Sequence, residues 1–249
     1  PAPKDPTTEL SWCAVPTGRF APSPSGDLHL GNLRTALIAW LAARSQASEF
    51  IIRIEDLEAS RVRPEYYDRQ LNDLRSIGLD WDGPVLRQSD RLASYDSALL
   101  KLTTADLAYP CYCSRRDIRE ATQAPHFGHT RYPGTCRDLS SAQRAEREQS
   151  GRSPALRLRS GDAAAGFCDH VMGPIEGIVE DVVLRRNDGV PAYNFVVVVD
   201  DHAQGVELVV RGDDLAPATL SHVHIADLLG QPRPDYAHVP LVLGPPGRR

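Results

Sequence analysis

The chain has 249 residues, 41% hydrophobic and 24% charged, a balance that excludes disordered and fibrous classes and allows one large domain or two modest ones. Its longest strictly apolar run, Ala36 to Ala43, has eight residues, too few for a membrane span, and no basic-then-apolar leader opens it. The expectation is a cytoplasmic protein with no membrane partner. The net charge of −5 is unevenly spread, since Cys111 to Ser160 holds ten Arg against five Asp or Glu. Such a block is either a solvated, Arg-rich helical surface or a grip for a polyanion such as RNA.

Residues 1–16 are expected to be a flexible lead-in, rich in Pro and Thr at their start. A short strand over Thr17 to Phe20 runs into Ala21-Pro22-Ser23-Pro24-Ser25-Gly26, whose prolines and glycine forbid a helix. Leu33, Leu37, Ile38, Leu41 and Ala42 then recur at helical spacing, which predicts a helix from His29 or Gly31 to Arg44. The β-branched run Phe50 to Ile54 predicts a buried strand, followed by helices over Pro64 to Ile77 and Asp90 to Asp106. At Tyr109-Pro110-Cys111 the pattern changes and a smaller insertion over 109–186 is expected, with a polar helix near Ser140 to Gln149 and strand-like pieces from Ala155 to Arg186. Beyond it the pattern predicts strands over Asn194 to Val199 and Val206 to Val210, then a helix over Ala216 to Leu229. The expected fold is α/β, a doubly wound parallel sheet of Rossmann type formed by 17–108 and 187–249 and interrupted by the insertion.

A strand, a tight loop and a helix start bring free N–H groups and the positive end of a helix dipole to the carboxyl edge of a sheet, where phosphates bind. His29 and Asn32 stand three apart in the first turn, so both can donate to the same phosphate oxygens, and Gly31 permits close approach of a ligand. A purely structural helix start remains the alternative for His-Leu-Gly-Asn taken alone. Five cysteines in a chain of this length are not a disulfide framework. Three lie close together, Cys111, Cys113 and Cys136, as a metal site or as buried thiols without a ligand. His126 and His129 are nearby candidates for a further ligand, and Cys13 and Cys168 stand apart at no ligand spacing.

The segment Arg19 to Pro24 with His29 to Asn32 and Arg34 to Leu37 resembles the first signature of class I glutamyl-type aminoacyl-tRNA synthetases. Arg53 to Asp56, Tyr193-Asn194 with Val198 to Asp201, and Val210 to Leu215 follow at the spacing of that family. Within it, Cys111-Tyr112-Cys113 and Tyr132 to Cys136 are similar to the zinc segment of the short glutamyl-Q tRNA(Asp) synthetase branch. Val183 to Arg186 with Asp188-Gly189, and Tyr236 to Leu241, also resemble that branch. The resemblance implies Zn²⁺ on Cys111, Cys113, Tyr132 and Cys136. It also implies ATP with Mg²⁺ and L-glutamate as substrates, and queuosine in tRNA(Asp) as the acceptor of the glutamyl group. By the same carry-over, Glu55 and Ser23 take the ammonium of glutamate, Arg19 and Arg211 its side-chain carboxylate, and Tyr193 closes the pocket, with Phe20, Ala21 and Pro22 also among the glutamate-binding residues.

His29, Gly31 and Asn32 are the expected ATP site, with His29 and Asn32 as the catalytic donors. An ion pair between Arg211 and Glu55 is the structural alternative for those two residues. Arg115, Arg116, Arg119 and Arg137 are the expected RNA grips. A lysine-bearing second signature is expected after Arg249, with about fifty further residues in the short branch or some two hundred in a full-length synthetase. Three readings follow: the short-branch enzyme, the catalytic part of an ordinary glutamyl-tRNA synthetase, and an inactive relative that binds glutamate or RNA.

Overall fold

The computed structural model describes residues 17–114, 116–118 and 132–244. The expected lead-in over 1–16 with Cys13, the two histidines at 126 and 129, Arg115, Arg119 and the end of the chain lie outside these residues.

In chain order the elements are β1 (Thr17–Phe20), α1 (Leu30–Arg44), β2 (Phe50–Ile54), α2 (Glu65–Ser76), β3 (Leu86–Arg87), a 3-10 turn over Gln88–Arg91, α3 (Leu92–Thr104) and β4 (Ala108–Cys111). After the undescribed stretch come α4 (Ser141–Gln149), β5 (Ala155–Leu158), β6 (Ala164–Asp169), β7 (Gly173–Ile178), β8 (Val183–Arg185), α5 (Tyr193–Ala203), β9 (Val206–Gly212), α6 (Ala216–Leu229) and β10 (Asp235–Val239). The large sheet has the order β3-β2-β1-β9-β10-β6-β7 and is parallel except where β7 returns against β6. A second, antiparallel sheet is made of β4, β5 and β8. The architecture is therefore the expected α/β class, and the segment 109–186 contributes to both sheets, since β6 and β7 extend the large one beside β10.

One element differs in kind. The stretch Asn194 to Val199, expected to be a strand, lies in helix α5. Phe195 through Asp201 are all buried, packed among Tyr95, Leu99, Leu102, Leu158, Leu184 and Ile225. A helix enclosed on every side needs no polar stripe, so its four consecutive valines carry no helical period and read as a β-branched strand. Tertiary burial here overrides the modest cost of valine in a helix.

Side-chain alternation along the parallel strands sorts the large sheet into two covered faces. Phe20, Ile52, Ile54, Leu208, Val210 and Val239 pack with Ala36, Ala39 and Ala43 of α1. Val209 and Tyr236 pack with Val223 of α6, on the other face, with Ile51 against them. Gly18 lets α1 settle on β1, because a Cβ there would stand 3.1 Å from that of Ala43. The loop after β1 is tied down at several points: Pro22 O accepts from Glu55 N–H at 2.9 Å, and buried Gln70 of α2 donates to Ser23 O and Gly26 O at 3.0 and 2.7 Å.

Candidate active site

Parity places the chemistry. Because Phe20, Ile52, Ile54, Val210 and Val239 face α1, their neighbours Arg19, Arg53, Arg211 and His238 face the opposite side, toward α5 and α6. From β1 the chain winds through α1 to β2 on one side, and from β9 through α6 to β10 on the other, so β1 and β9 meet at the switch point of the sheet. A cavity of about 630 Å³ opens there, lined among others by Arg19, Phe20, Ala21, Glu55, Tyr193 and Arg211 and by His29, Gly31 and Asn32 of the α1 start. Ser23 lies instead in a smaller cavity of about 80 Å³ that shares Glu55, and Pro22 lines neither.

Of the three buried arginines on this side of the large sheet, Arg19 and Arg53 are neutralised inside the fold. Arg53, fully buried, pairs with Asp201 at 2.7 Å, Glu55 at 3.4 Å and Asp200 at 3.9 Å. Arg19 donates through Nε to Asp201 at 3.3 Å and through NH1 to Val210 O. Asp200 is saturated by Gln88, Arg91 and Tyr95 at 2.9, 2.6 and 2.8 Å. Burial acts upward on Asp201, yet Arg19 and Arg53 hold its carboxyl below the ordinary range. Burial pushes Glu55 up in spite of the two arginines, leaving a carboxyl that gains from a cationic ligand.

Arg211 is different. It is 5% exposed, and among the described residues no carboxylate lies within ion-pair distance of it, so the expected alternative of a pair with Glu55 is absent. Its Nε donates to His238 Nε2 at 3.1 Å, NH1 to Tyr193 Oη at 3.3 Å, and NH2 to Thr219 Oγ1 at 2.6 Å and His222 Nδ1 at 3.0 Å. Its guanidinium also lies over the Tyr236 ring, 5.5 Å from the centroid. Burial, and then Arg211 itself, keep His222 far below the usual histidine range, and burial lowers His238 as well. A buried guanidinium held by neutral groups at a cavity wall is a receptor for an anion.

His29 and Asn32 cap α1 reciprocally. His29 Nδ1 accepts the Asn32 backbone N–H, and Asn32 Oδ1 accepts that of His29, both at 3.3 Å. The cap consumes one acceptor of each side chain, leaving the Nε2–H of neutral His29 and the amide NH₂ of Asn32. Both are donors beside the positive end of a helix. Gly31 serves this geometry directly, since a Cβ there would meet the His29 ring at 3.0 Å. Gly31 itself remains on the cavity wall.

The Sγ atoms of Cys111, Cys113 and Cys136 all lie within 4.8 Å of one another, with Cys113 and Cys136 3.5 Å apart. Zn–S bonds of about 2.3 Å in a tetrahedron put sulfurs about 3.8 Å apart, so the three thiols fit that ion. Tyr132 Oη stands 3.4 Å from Cys111 Sγ and accepts the Cys136 N–H at 2.8 Å, adjacent to the fourth position. Hydrogen bonds from Cys113 and Tyr132 hold the Cys111 thiol below the usual thiol range. Of the arginines expected to grip RNA, Arg137 is paired with buried Asp181 at 2.7 Å and with exposed Asp162 at 3.1 Å, while Arg116 lies at the surface. Cys168 is exposed on β6. No helix among the described residues is long and apolar enough to cross a membrane.

Sequence reasoning missed Asp169, Thr219, His222 and His238, all buried around Arg211. The available signal was a polar residue in an apolar strand at the same parity as the arginines, as in Tyr236-Ala237-His238-Val239.

Residues 15–248 match the family described as tRNA synthetases class I (E and Q), catalytic domain. The chain is 60% identical over 232 residues to a glutamyl-Q tRNA(Asp) synthetase of Nocardia farcinica, covering 93% of this chain and 74% of that protein. It is 53% identical to the protein of that name from Cutibacterium acnes, covering 93% of this chain and 66% of the relative. Among solved structures, a glutamate tRNA ligase from Elizabethkingia meningosepticum in complex with its amino acid superposes with a TM-score of 0.82 at 30% identity, over 95% of this chain and 51% of that one.

Proposed function

The chain belongs to the class I tRNA synthetase family of the glutamate and glutamine type and is a synthetase-like enzyme, and we propose that it activates L-glutamate with ATP and passes the glutamyl group to queuosine in tRNA(Asp), in the cytoplasm. The observation that carries the amino-acid side is Arg211, buried in a neutral cage at the cavity wall. A side-chain carboxylate supplies the charge that this guanidinium lacks. Glutamine would leave it desolvated and unpaired, which gives strong discrimination. Arg19 keeps three N–H bonds beyond its contacts to Asp201 and Val210, and Tyr193 Oη, having accepted from Arg211, keeps its own O–H to donate. Glu55, with Ser23 on its far side, takes the ammonium; Phe20 and Ala21 line the same cavity as Arg211.

In the first step an oxygen of the glutamate α-carboxylate attacks the α-phosphorus of ATP, forming glutamyl-adenylate and releasing pyrophosphate. The attacking oxygen carries no proton, so no general base is required. His29 Nε2–H, the Asn32 amide and the N–H groups around Gly31 stabilise charge on the phosphates; Mg²⁺ arrives with ATP. In the second step a hydroxyl of queuosine attacks the activated carbonyl, the bond from that carbonyl to the AMP phosphate breaks, and the hydroxyl proton goes to the phosphate of the leaving AMP. Zinc on Cys111, Cys113, Cys136 and Tyr132 would supply structural cross-linking between the end of β4 and the segment 132–136.

The test offers the full-length protein ATP, labelled glutamate, tRNA(Asp) with and without queuosine, and tRNA(Glu). Label on tRNA(Asp) that requires queuosine is the expected result. Label on tRNA(Glu) instead would make the protein an ordinary synthetase, and label on neither would refute the transfer step.

A further inference from the structure

Asp169 and His238 are buried on neighbouring strands and contribute nothing to the cavity wall themselves. Asp169 closes β6, where its Oδ1 accepts the backbone N–H groups of Val171 and Met172 at 2.9 Å and of His238 at 3.1 Å. With the carboxylate fixed in this way, Oδ2 lies 2.6 Å from His238 Nδ1. An ionised carboxylate only accepts, so Nδ1 carries the proton and Nε2 carries a lone pair. The Arg211 guanidinium only donates, and its Nε meets that lone pair at 3.1 Å. Register enforces the pairing, because Arg211 of β9 and His238 of β10 are Cα partners.

The donor inventory of Arg211 is then nearly spent. Of its five N–H bonds, one goes to His238, one to Tyr193, one to Thr219 and one to His222, which leaves one. His222 accepts through Nδ1 and so donates its Nε2–H to Asn194 Oδ1 at 3.0 Å. A carboxylate directly on Arg211 would compete with an anionic ligand. The imidazole instead transmits orientation from Asp169 while adding no charge at the guanidinium.

We propose that Asp169 and His238 are positioning residues for the recognition of the substrate's side-chain carboxylate: Asp169 fixes the tautomer of His238, and His238 fixes the guanidinium plane of Arg211. This rests on the glutamate reading given above. The charged and titratable groups facing the relay are Asp169 from β6, Arg211 from β9, Tyr236 beside it on β10, His222 from α6, Tyr193 from α5 and Arg19 from β1. In Asp169→Asn the amide can donate to Nδ1, so His238 turns to the Nε2-protonated tautomer and sets an N–H against the Arg211 N–H.

The experiment measures glutamate-dependent pyrophosphate exchange on the full-length protein together with nitrogen–proton correlation spectra of the histidine rings. In the unsubstituted protein, His238 is expected to be protonated at Nδ1 alone. Asp169→Asn is expected to raise KM for glutamate by about tenfold or more, to leave KM for ATP within about twofold, and to shift His238 to the other tautomer. His238→Gln, which can set an oxygen where Nε2 stands, should retain most glutamate affinity, while His238→Phe should lose it. A wild-type His238 protonated at Nε2, or an unchanged KM for glutamate in both Asp169→Asn and His238→Phe, would overturn the relay. If Asp169→Asn does not fold, the wild-type tautomer and the two His238 variants decide. Failure of the unsubstituted protein to bind glutamate at all would remove the functional reading and the relay with it, a result distinct from normal binding that ignores both residues.

Discussion

Replacing Arg53 by leucine removes the one side chain among the described residues that touches Asp200, Asp201 and Glu55 together. Arg53 is fully buried, and its carboxylate partners are at most 13% exposed, so water cannot replace it without opening the fold. Asp200 keeps Gln88, Arg91 and Tyr95, and Asp201 keeps Arg19, but Glu55 keeps no ion pair among the described residues. Removing one member of a buried ion pair typically costs about 3–5 kcal/mol, a large share of a net stability of about 5–15 kcal/mol. The sign of the pH response follows. Burial already holds Glu55 above the carboxylate range, and losing Arg53 raises it further, so the folded variant takes up a proton that the unfolded chain does not. The deficit against wild type then narrows as pH falls from about 7.5 to 5.5, by up to about 1.4 kcal/mol per pH unit below the raised value. Urea denaturation of wild type and Arg53→Leu at both pH values gives the difference, with other titrating groups common to the two proteins. A deficit under about 1 kcal/mol at pH 7.5, or one that widens toward pH 5.5, would refute the electrostatic account.

The remaining predictions concern other parts of the site. His29→Ser retains an N-cap oxygen and should keep stability, whereas His29→Ala should lose about 1 kcal/mol; both should slow pyrophosphate exchange about a hundredfold, and equal activity to wild type in the serine variant would remove His29 from phosphate binding. His222 and His238 are held below the usual 6.5 by burial and Arg211, so unfolded histidines bind protons that folded ones refuse. That contribution to stability is complete above pH 6.5 and lost progressively below it, and the wild-type urea midpoint should fall between pH 7.5 and 5.5; a flat profile contradicts it. Protein prepared without chelator should carry about one zinc per chain, with Tyr132→Phe weakening retention in a competition titration about tenfold; fewer than about one zinc, or no effect of the substitution, counts against the site as assigned.

Much of the framework was legible because each face repeats at its own period. Helix α1 and strand β2 were legible as elements, from a helical spacing and a β-branched run, but the covered side of α1 is Ala36, Ala39 and Ala43, while Leu37 and Leu41 of the expected stripe are exposed; α6 ends at Gly230, whose left-handed conformation suits a C-cap. Helix α5 was not legible for the opposite reason: enclosure on all sides erases the period, and only the local sheet and its neighbours reveal that Phe195 to Asp201 coil. The β6–β7 hairpin reads locally as two short strands, and its junction with β10 depends on a pairing across more than sixty positions that no local pattern encodes. Glu55, Tyr193 and Arg211 were reachable through family motifs, and the structure gathers them at one cavity. Asp169 was not, and His238, although it lies within the family-like segment Tyr236 to Leu241, had no role assigned, since a buried aspartate and a histidine in an apolar strand look like isolated core polar residues until register makes them neighbours.

The join between β1 and β9 also sets when the cavity can exist. Thr17 pairs with Val206, so the two walls of the site come from positions almost the whole described chain apart. Contacts of such separation form late, after the loop entropy of everything between them has been overcome. A partly folded chain therefore offers no half-built site for an anion to grip, and ligand added during refolding should leave early collapse unchanged while slowing only the escape from the finished state. Occupancy of this cavity is in effect a signal that folding is complete.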